Sequence, residues 1–478
     1  MMRSVTAVDA AQTIVIILEE TTPDDALSAR LNAAHNAIVR DYRQHKRMPV
    51  DQVTVAQIAP SPTSPLVVMA VVDTTAQNRM DAFRRVVAKA VRATKHCTQV
   101  QWLCLADCPQ WDFHVAQVIA MVEYDPPRYL ATAVDPDPRP QHVMVNGDGR
   151  RMTDASIIGE AVNKARTFAN MPANKLNTTA FVQMITALFE GDSRFSVTIL
   201  EESDLKKRAM NALLGVAQGS KYPPYLVDIS YNPQKKPAVA FVGKGVVFDT
   251  GGISLKPSLN MKDMKGDMGG AAAVVSAAWA AGQLNIAKGA SFIVPIVENM
   301  ISKDAQRPGD VVVASNGTHI EISNTDAEGR LILADALVYA CEKDVSAVID
   351  IATLTGASTI ALGPYATAIL GTNQAIIDTC IHAAGAMNEP LWQLPLFDGY
   401  KSLLKSDIAD ILNANEGREA GTITAAMFLR QFVGDTPWAH LDIACTMQAK
   451  STKGEQVKGM TGAGTRALIA FLQAYSSQ

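Results

Sequence analysis

Several features that reveal a protein's class are missing from this 478-residue sequence. Its six cysteines lack the C-x-x-C spacing of a zinc site and the density of a disulfide scaffold, so we expect free thiols. Lys+Arg 43 and Asp+Glu 47 nearly balance, which removes a global electrostatic reason for nucleic acid or an acidic membrane as the main partner. No apolar run approaches the ~20 residues of a membrane helix, and the stretch Ile14 to Leu18 is too short for a signal peptide. These absences predict a soluble, cytoplasmic protein.

The common catalytic signatures are also absent. The sequence contains neither a G-x-S-x-G elbow nor an H-E-x-x-H pair, and its eight histidines are dispersed. Gly243-Lys244 follows an apolar run as a P-loop would, but Ala238 stands where the first glycine is needed and Gly245 replaces the hydroxyl residue. A serine hydrolase, a histidine-rich zinc site and a nucleotide-phosphate cradle are therefore not indicated.

What is present is an alternation of strand-like and helix-like segments, which predicts an α/β fold of two domains. In the first part we predict strands over 13–18, 65–72 and 99–105 and helices over 24–42, 79–95 and 113–124. Prolines and two Asx-Gly pairs crowd the stretch 125–151 and predict a boundary. The prediction is a smaller N-terminal α/β domain over 1–150, a linker helix over 151–171 and a larger catalytic α/β domain over 172–478, with a mixed sheet between helices.

The second part repeats this alternation over a longer stretch. We predict strands over 195–200, 226–230, 238–242, 291–297, 310–315, 319–322, 347–352, 367–370 and 439–443. Helices are expected over 270–281, 331–343, 374–388, 422–433 and 465–475. Asn316-Gly317 between two of the strands is a strong hairpin signal.

Charged residues interrupt segments that are otherwise apolar or rich in glycine: Lys244, Asp249, Lys256, Asp267, Asp326, Glu328 and Arg330. Taken singly, each has an ordinary structural explanation, such as an edge lysine, a turn aspartate or a helix N-cap. Taken together, they follow strand ends of one sheet, where α/β folds assemble sites. In an extended loop, residues two apart point the same way, so Asp326 and Glu328 can aim at one point. Four converging carboxylates require cations, and two bridged divalent metals suit hydrolysis.

Two of these segments, 243–256 and 324–331 (Asn-Thr-Asp-Ala-Glu-Gly-Arg-Leu), resemble signatures of the leucyl aminopeptidase family, the cytosol aminopeptidases. The resemblance continues through 168–174, 350–356, 438–444 and 459–462 and covers essentially the whole second domain. In the first domain only the position and the α/β pattern correspond. The resemblance implies a macro-domain-like fold there.

The resemblance also implies a role for each motif residue. Two divalent ions per subunit, Zn or Mn with Mg or Co as alternatives, would be bound by Lys244, Asp249, Asp267, Asp326 and Glu328. The catalytic residues would be Lys256, which stabilises the oxyanion, and Arg330, which holds a bicarbonate that acts as base. The peptide N-terminus and its first side chain would contact Met264, Asn324, Thr353, Leu354, Gly356, Ala444 and Met447.

The implied reaction is the release of N-terminal residues from short peptides, with a preference for Leu or Met, by a water that bridges the two metals. The implied assembly is a homohexamer of two stacked trimers. One departure from the family's pattern is Gly266, which places extra backbone freedom beside Asp267 and bears on loop rigidity and fine specificity.

Two other functions remain open at this stage. The N-terminal domain could bind DNA or another partner through basic helix faces, with peptidase chemistry secondary; these faces carry Arg40, Arg43, Lys46 and Arg47, and Arg85, Lys89 and Arg92. A phosphatase could use the same carboxylates, but the sequence offers no cluster of phosphate-binding residues beyond Lys256 and Arg330.

Overall fold

The α/β prediction is confirmed by a computed structural model, which describes residues 2–9, 12–45, 47–57, 66–132, 138–417 and 419–476. By its internal contacts the chain divides into two compact units. The first comprises Met1–Asn163 with Lys450–Lys458, and the second comprises Lys164–Ala449 with Gly459–Gln478. The dividing point after residue 163 falls inside a long helix.

The first unit is built on a six-stranded sheet. Its strands are β1 (Arg3–Val5), β2 (Thr13–Glu19), β3 (Val53–Gln57), β4 (Leu66–Val72), β5 (Gln99–Cys104) and β6 (Gln141–Val145). Their order is β1-β6-β5-β2-β4-β3, and all neighbours are parallel except β3 and β4. The helices are α1 (Asp24–Arg30), α2 (Ala33–Gln44), α3 (Arg79–Ala93), α4 (Trp111–Val122) and α5 (Gly149–Asn170). Val15 and Ile17 of β2 join one apolar cluster and Ile14, Ile16 and Leu18 the other, so the strand is buried on both faces.

Three predictions for this unit were wrong. The helix expected over 24–42 is two helices, because the Asn32 side chain accepts the N–H of His35 and caps a new helix. The irregular stretch expected over 125–151 contains β6, which is preceded by prolines but pairs with β1 and β5. The linker helix expected over 151–171 begins earlier, at Gly149, where Asp148 Oδ1 accepts the N–H groups of Arg150 and Arg151. Strand β3 was not predicted at all.

The second unit contains a nine-stranded mixed sheet. The unit's strands are β7 (Phe195–Leu200), β8 (Tyr225–Tyr231), β9 (Pro237–Gly243), β10 (Gly245–Asp249), β11 (Gly289–Asn299), β12 (Val311–Val313), β13 (His319–Glu321), β14 (Ala347–Ala352), β15 (Thr367–Gly371), β16 (Leu391–Gln393), β17 (Ile411–Leu412), β18 (Trp438–Asp442), β19 (Gln448–Ala449) and β20 (Gly459–Met460). In the large sheet the order is β16-β15-β18-β14-β9-β11-β8-β7, with β10 beside β11. Strands β18, β14, β9 and β11 are parallel neighbours. Their carboxyl ends therefore share one edge.

Helices cover this sheet: α6 (Thr178–Phe189), α7 (Glu202–Lys207), α8 (Asn211–Ala217), α9 (Gly269–Gln283), α10 (Gly329–Cys341), α11 (Gly356–Leu362), α12 (Gln374–Ala386), α13 (Gly421–Leu429) and α14 (Thr465–Ser476). We did not predict α7, α8 and α11, which have only six or seven residues each. We also did not predict α6, although its buried Phe181, Val182, Ile185 and Phe189 recur at helical spacing. The helix expected over 422–433 ends as α13 and continues as a 3₁₀ turn over Arg430–Phe432. The Asn316-Gly317 hairpin is confirmed, since β12 and β13 pair antiparallel around Gly317 at φ +87°.

The structure also bears on the predictions about cysteines and membrane helices. All six cysteines lie in the described residues and carry free thiols, as expected. Within the described part of the chain, none of the helices combines the length and apolarity needed to cross a membrane.

Candidate metal centre

Chain segments that are distant in sequence meet at the carboxyl edge of the parallel strands. Lys244 follows β9, Thr353 follows β14, and Asp442 ends β18. Helix α9 packs closely against these strands, since a Cβ on Gly270 would collide with the Ile351 carbonyl. This packing brings Asp267, which lies just before α9, to the same edge. The structure therefore brings these segments together at one edge of the sheet.

Lys244 lies at the buried centre of this edge, with 3% of its side chain exposed. Its Nζ donates to Asp267 Oδ1 and to the Thr353 carbonyl, each at 2.9 Å, and lies 2.8 Å from Glu328 Oε1. Gly329 makes room for it, since a Cβ there would lie 2.7 Å from that nitrogen. Lys244 is therefore not an edge lysine. Burial alone would lower its pKa, but Asp267, Glu328 and Asp249 raise it, so the amine is an ammonium while only carboxylates surround it.

A second lysine faces the other pair of carboxylates. Lys256 Nζ lies 2.7 Å from Asp249 Oδ2 and 2.5 Å from Asp326 Oδ1. Asp249 is held by Asn299, whose Nδ2 donates to its Oδ1 at 2.8 Å, and by the N–H of Gly251. Gly251 needs its positive φ of +86°, and a Cβ there would lie 2.8 Å from Asp326 Oδ1. The turn formed by residues 249–252 (Asp-Thr-Gly-Gly) therefore packs against Asp326.

Asp326 and Glu328 converge, but not through an extended loop. The Asp326 N–H donates to Asn324 Oδ1, which closes a turn between these residues. Glu328 has helical backbone angles at the start of α10. The expected alternation along an extended chain was therefore wrong, because the Asn324 side chain closes a turn instead. Asp267, considered alone as a helix N-cap, makes no capping bond to α9; its Oδ1 accepts from Lys244 and from Thr353 Oγ1.

The carboxylates are close enough to share cations. One ligand oxygen from each of Asp249, Asp326 and Glu328 lies within 4.8 Å of the others. Burial, followed by the charge of Glu328, raises the pKa of Asp249 to about 6. Burial also raises the pKa of Asp267 and of Asp326, whereas Lys244 and Lys256 outweigh burial at Glu328 and lower its pKa. Four carboxylates against two lysines leave negative charge uncompensated in a buried site.

The residues present fit divalent metal ions. Asp267 Oδ2, Asp326 Oδ1 and Glu328 Oε1 are buried oxygens that each pair with a lysine ammonium group at 2.5–2.8 Å. Four buried carboxylates that share only these two ammonium groups still cost free energy. Hard carboxylate oxygens and a lysine nitrogen make a donor set that two divalent cations would fit, and the cations would balance the remaining negative charge.

Arg330 lies in the first turn of α10, behind the carboxylates. Its Nη1 donates to the Asn413 carbonyl at 2.8 Å, while its buried Nε–H has no hydrogen-bond acceptor. Burial lowers its pKa to about 10, partly offset by Glu328 and Asp442, so the guanidinium remains charged at neutral pH. A buried cation with an unused donor can hold an anion.

The predicted substrate-contacting residues border the same edge. Thr353 is tied to Asp267 and Lys244, the Met264 carbonyl accepts the N–H of Asp267, and Asn324 closes the turn before Asp326. Leu354, Ala444 and Met447 are partly exposed, and Gly356 is exposed at the start of α11. We call these seven positions the wall; Thr353 is buried, and the other six are at least partly exposed.

Sequence reasoning missed the residues that support this wall. Asp442 is fully buried; its Oδ1 accepts the N–H groups of Leu354 and Ala444, and its Oδ2 accepts Thr355 Oγ1 at 2.5 Å. Asn413, also fully buried, donates from Nδ2 to the Asn324 carbonyl at 2.7 Å. Asp442 lies within the resembling segment 438–444 and could have been singled out as a buried acid, whereas nothing around Asn413 distinguishes it in the sequence.

The basic faces proposed for DNA are largely engaged within the first unit. Arg43 pairs with Asp24 at 3.1 Å, Lys89 with Asp51 at 3.4 Å, and Arg85 with Asp81. Arg92 donates to the Gly454 carbonyl at 2.6 Å. Lys46 lies outside the described residues. These contacts give no support to a nucleic-acid surface.

The fold and this cluster define a class: an α/β protein with a candidate dinuclear metal centre of the hydrolytic kind. The family model for the cytosol aminopeptidase family, catalytic domain, matches residues 163–469. The chain belongs to the cytosol aminopeptidase family, and the resemblance drawn from the motifs is confirmed.

Individual relatives agree with this assignment. A probable cytosol aminopeptidase of Syntrophotalea carbinolica is 49% identical over 67% of this chain and 64% of its own length. The cytosol aminopeptidase of Encephalitozoon cuniculi is 41% identical over 77% of this chain and 76% of its own. A solved structure of the bottromycin maturation enzyme BotP in complex with Mn is similar at a TM-score of 0.85 and 31% identity, covering 98% of this chain and all of that one.

Proposed function

We propose that the protein is a metal-dependent aminopeptidase that removes N-terminal residues from short peptides, preferring Leu and Met. The observation that carries the proposal is the buried cluster of four carboxylates around Lys244 and Lys256, whose negative charge exceeds that of the two lysines and fits two divalent cations. The family assignment and the Mn named with BotP support it. The names of the relatives favour a cytoplasmic location.

In this proposal Lys244, Asp249, Asp267, Asp326 and Glu328 hold two ions per subunit, Zn or Mn, with Mg or Co as alternatives. Bound there, the ions would supply Lewis acidity and lower the pKa of a water. Lys244 must give up its proton to become a ligand, which a neighbouring dication can drive. Lys256, the more exposed of the two lysines, donates to the developing oxyanion of the scissile carbonyl.

The function is tested on the purified protein after chelation. Aminoacyl anilides of Leu, Met, Ala and Phe are assayed with Mn, Zn, Co or Mg, alongside p-nitrophenyl phosphate. The proposal expects no activity without metal, restored anilide hydrolysis with at least one ion, and no phosphate release. Hydrolysis of the phosphate ester alone would favour the phosphatase instead.

Arg330 is proposed to hold a bicarbonate that serves as the general base. The Arg330 side chain stays protonated at neutral pH and so cannot act as a base, but its unused Nε–H can bind an anion. We therefore expect bicarbonate to stimulate the parent enzyme and to lose that effect in Arg330→Ala, as measured by initial rates against bicarbonate concentration. Equal stimulation of both proteins would show that the anion binds elsewhere.

The proposed assembly is a homohexamer whose active sites face an enclosed space that admits short peptides. Large apolar side chains are exposed on the second unit, among them Ile360 at 89%, Tyr365 at 80% and Phe397 at 69%. Such residues are available for subunit contacts. Analytical ultracentrifugation should give six times the monomer mass. A stable monomer with full activity would contradict this assembly.

A further inference from the structure

Two short segments of the second unit bring charged groups from distant parts of the sequence to the candidate metal centre. Residues 249–256 begin with Asp249 and end with Lys256, and residues 324–326 end with Asp326. Because the segments are far apart in the sequence, the chain that joins them does not fix the distance between the two carboxylates. That distance depends on the contacts that the segments make with each other.

Thr325 joins the two segments through both its side chain and its backbone. It is 3% exposed, and its Oγ1 donates to the Gly251 carbonyl at 2.6 Å and accepts the Ser254 N–H at 2.8 Å. The Thr325 N–H donates to Ser254 Oγ at 3.2 Å. A Cβ on Gly252 would lie 2.9 Å from the Thr325 hydroxyl oxygen, so the first segment closes tightly around this hydroxyl. Both the donor and the acceptor capacity of the hydroxyl are therefore used on the opposite segment.

Asn299, the last residue of β11, joins the same two segments. It is 5% exposed, and its Nδ2 donates to Asp249 Oδ1 at 2.8 Å and to the Thr325 carbonyl at 3.1 Å. Its carbonyl accepts the N–H and the hydroxyl of Thr250, each at 3.0 Å. The Thr250 carbonyl in turn accepts the Lys256 N–H at 2.9 Å. The first segment is thus held near both of its ends.

We propose that Thr325 and Asn299 are positioning residues, which set the separation of Asp249 and Asp326 and so the place where these carboxylates share a cation. The inference rests on the proposed aminopeptidase function. The same hydrogen bonds position Lys256, whose Nζ reaches the two carboxylates at 2.7 and 2.5 Å while the segments keep this register. Residues that orient metal ligands through hydrogen bonds change metal affinity without touching the ion.

The test compares Thr325→Val, which keeps the shape of the side chain but removes the hydroxyl, with Thr325→Ser, which keeps the hydroxyl. Isothermal titration of the metal-free proteins with Mn measures Kd, and kinetics on the leucyl anilide at saturating Mn measure kcat and KM. Thr325→Val should raise Kd by roughly 10–100-fold and lower kcat by a similar factor, with a smaller change in KM. Thr325→Ser should restore both values to near those of the parent. Combining Thr325→Val with Asn299→Ala should give less than the sum of the two effects, because both changes release the same segments.

Thr178→Val is the matched control and should leave Kd, kcat and KM unchanged. Thr178 is another fully buried threonine of the second unit, and its hydroxyl has no hydrogen-bond partner in the described part of the chain. Thermal unfolding is measured for each variant. If Thr325→Val does not fold, Ser254→Ala removes one acceptor from a partly exposed position and should raise Kd by a smaller factor.

A folded Thr325→Val protein with a lower Tm but the Kd and kcat of the parent would overturn the inference, because Thr325 would then have only a structural role. The Kd of the parent in Ser254→Ala would overturn it in the same way where Thr325→Val does not fold. A parent that binds Mn but cleaves no anilide would instead overturn the aminopeptidase function.

Discussion

Glu328→Ala should abolish anilide hydrolysis and metal retention together, and Asp326→Ala should do the same. Each substitution removes an oxygen from the group of three that lie within 4.8 Å of one another. An opened coordination sphere loses several kcal/mol of transition-state stabilisation, so we expect a fall in kcat/KM on the order of 10³ or more. Activity assays and elemental analysis of the dialysed variants measure both quantities.

Two companion variants separate metal loss from misfolding. Glu328→Gln keeps the shape beside buried Lys244 but removes the charge, and it should fold while losing most of its metal. Asp304→Ala removes an exposed carboxylate outside the cluster and should behave like the parent. A Glu328→Ala protein with full metal content and full activity would rule out this residue as a ligand.

Lys256→Ala should have the second largest effect, and a different one. If Lys256 donates to the oxyanion, its loss should lower kcat by roughly 10²–10³ while KM changes much less. The four carboxylates remain in place, so both metal ions should still bind. Steady-state kinetics at saturating metal, with metal content measured on the same sample, distinguish this result from that of the ligand variants.

Lys303→Ala, which removes an exposed lysine, is the control for a general change in charge and should leave kcat unchanged. Lys256 is also an ion-pair partner of Asp249 and Asp326. A parallel fall in metal content and kcat in Lys256→Ala would therefore show that it holds these carboxylates in place and is not an oxyanion donor.

The sequence predicted the parts of the site that depend on local chemistry. Lys244 and Asp249 are charged residues beside glycines and buried strands, and Asp267 lies between Gly266 and the small-residue helix α9. Charges in such apolar surroundings are costly unless they are used. Strand order was not needed to expect them at one edge, because parallel strands present their carboxyl ends together. The backbone shape of 324–328 was beyond such reasoning, since the Asn324 side chain decides between a turn and an extended chain.

The supporting residues were not predictable for a different reason. Asp442 acts on the wall through hydrogen bonds across 88 residues of sequence to Leu354, and Asn299 meets Thr325 only in the folded chain. Short helices such as α7, with six residues, carry too few turns for a periodic pattern. Residues whose role lies in distant contacts have no local signature.

The spacing of the Lys244 contacts along the chain has a consequence for how the molecule is made. Its ammonium meets groups 23 residues away at Asp267 and 109 residues away at Thr353. Bringing groups so far apart in sequence together costs loop-closure entropy before their contacts can offset it, and this slows the folding of the site. During synthesis the ribosome must deliver the chain beyond Thr353 before these partners can meet. A nascent or partly folded chain is therefore expected to have no peptidase activity. We expect peptide cleavage to begin only once the second unit has folded.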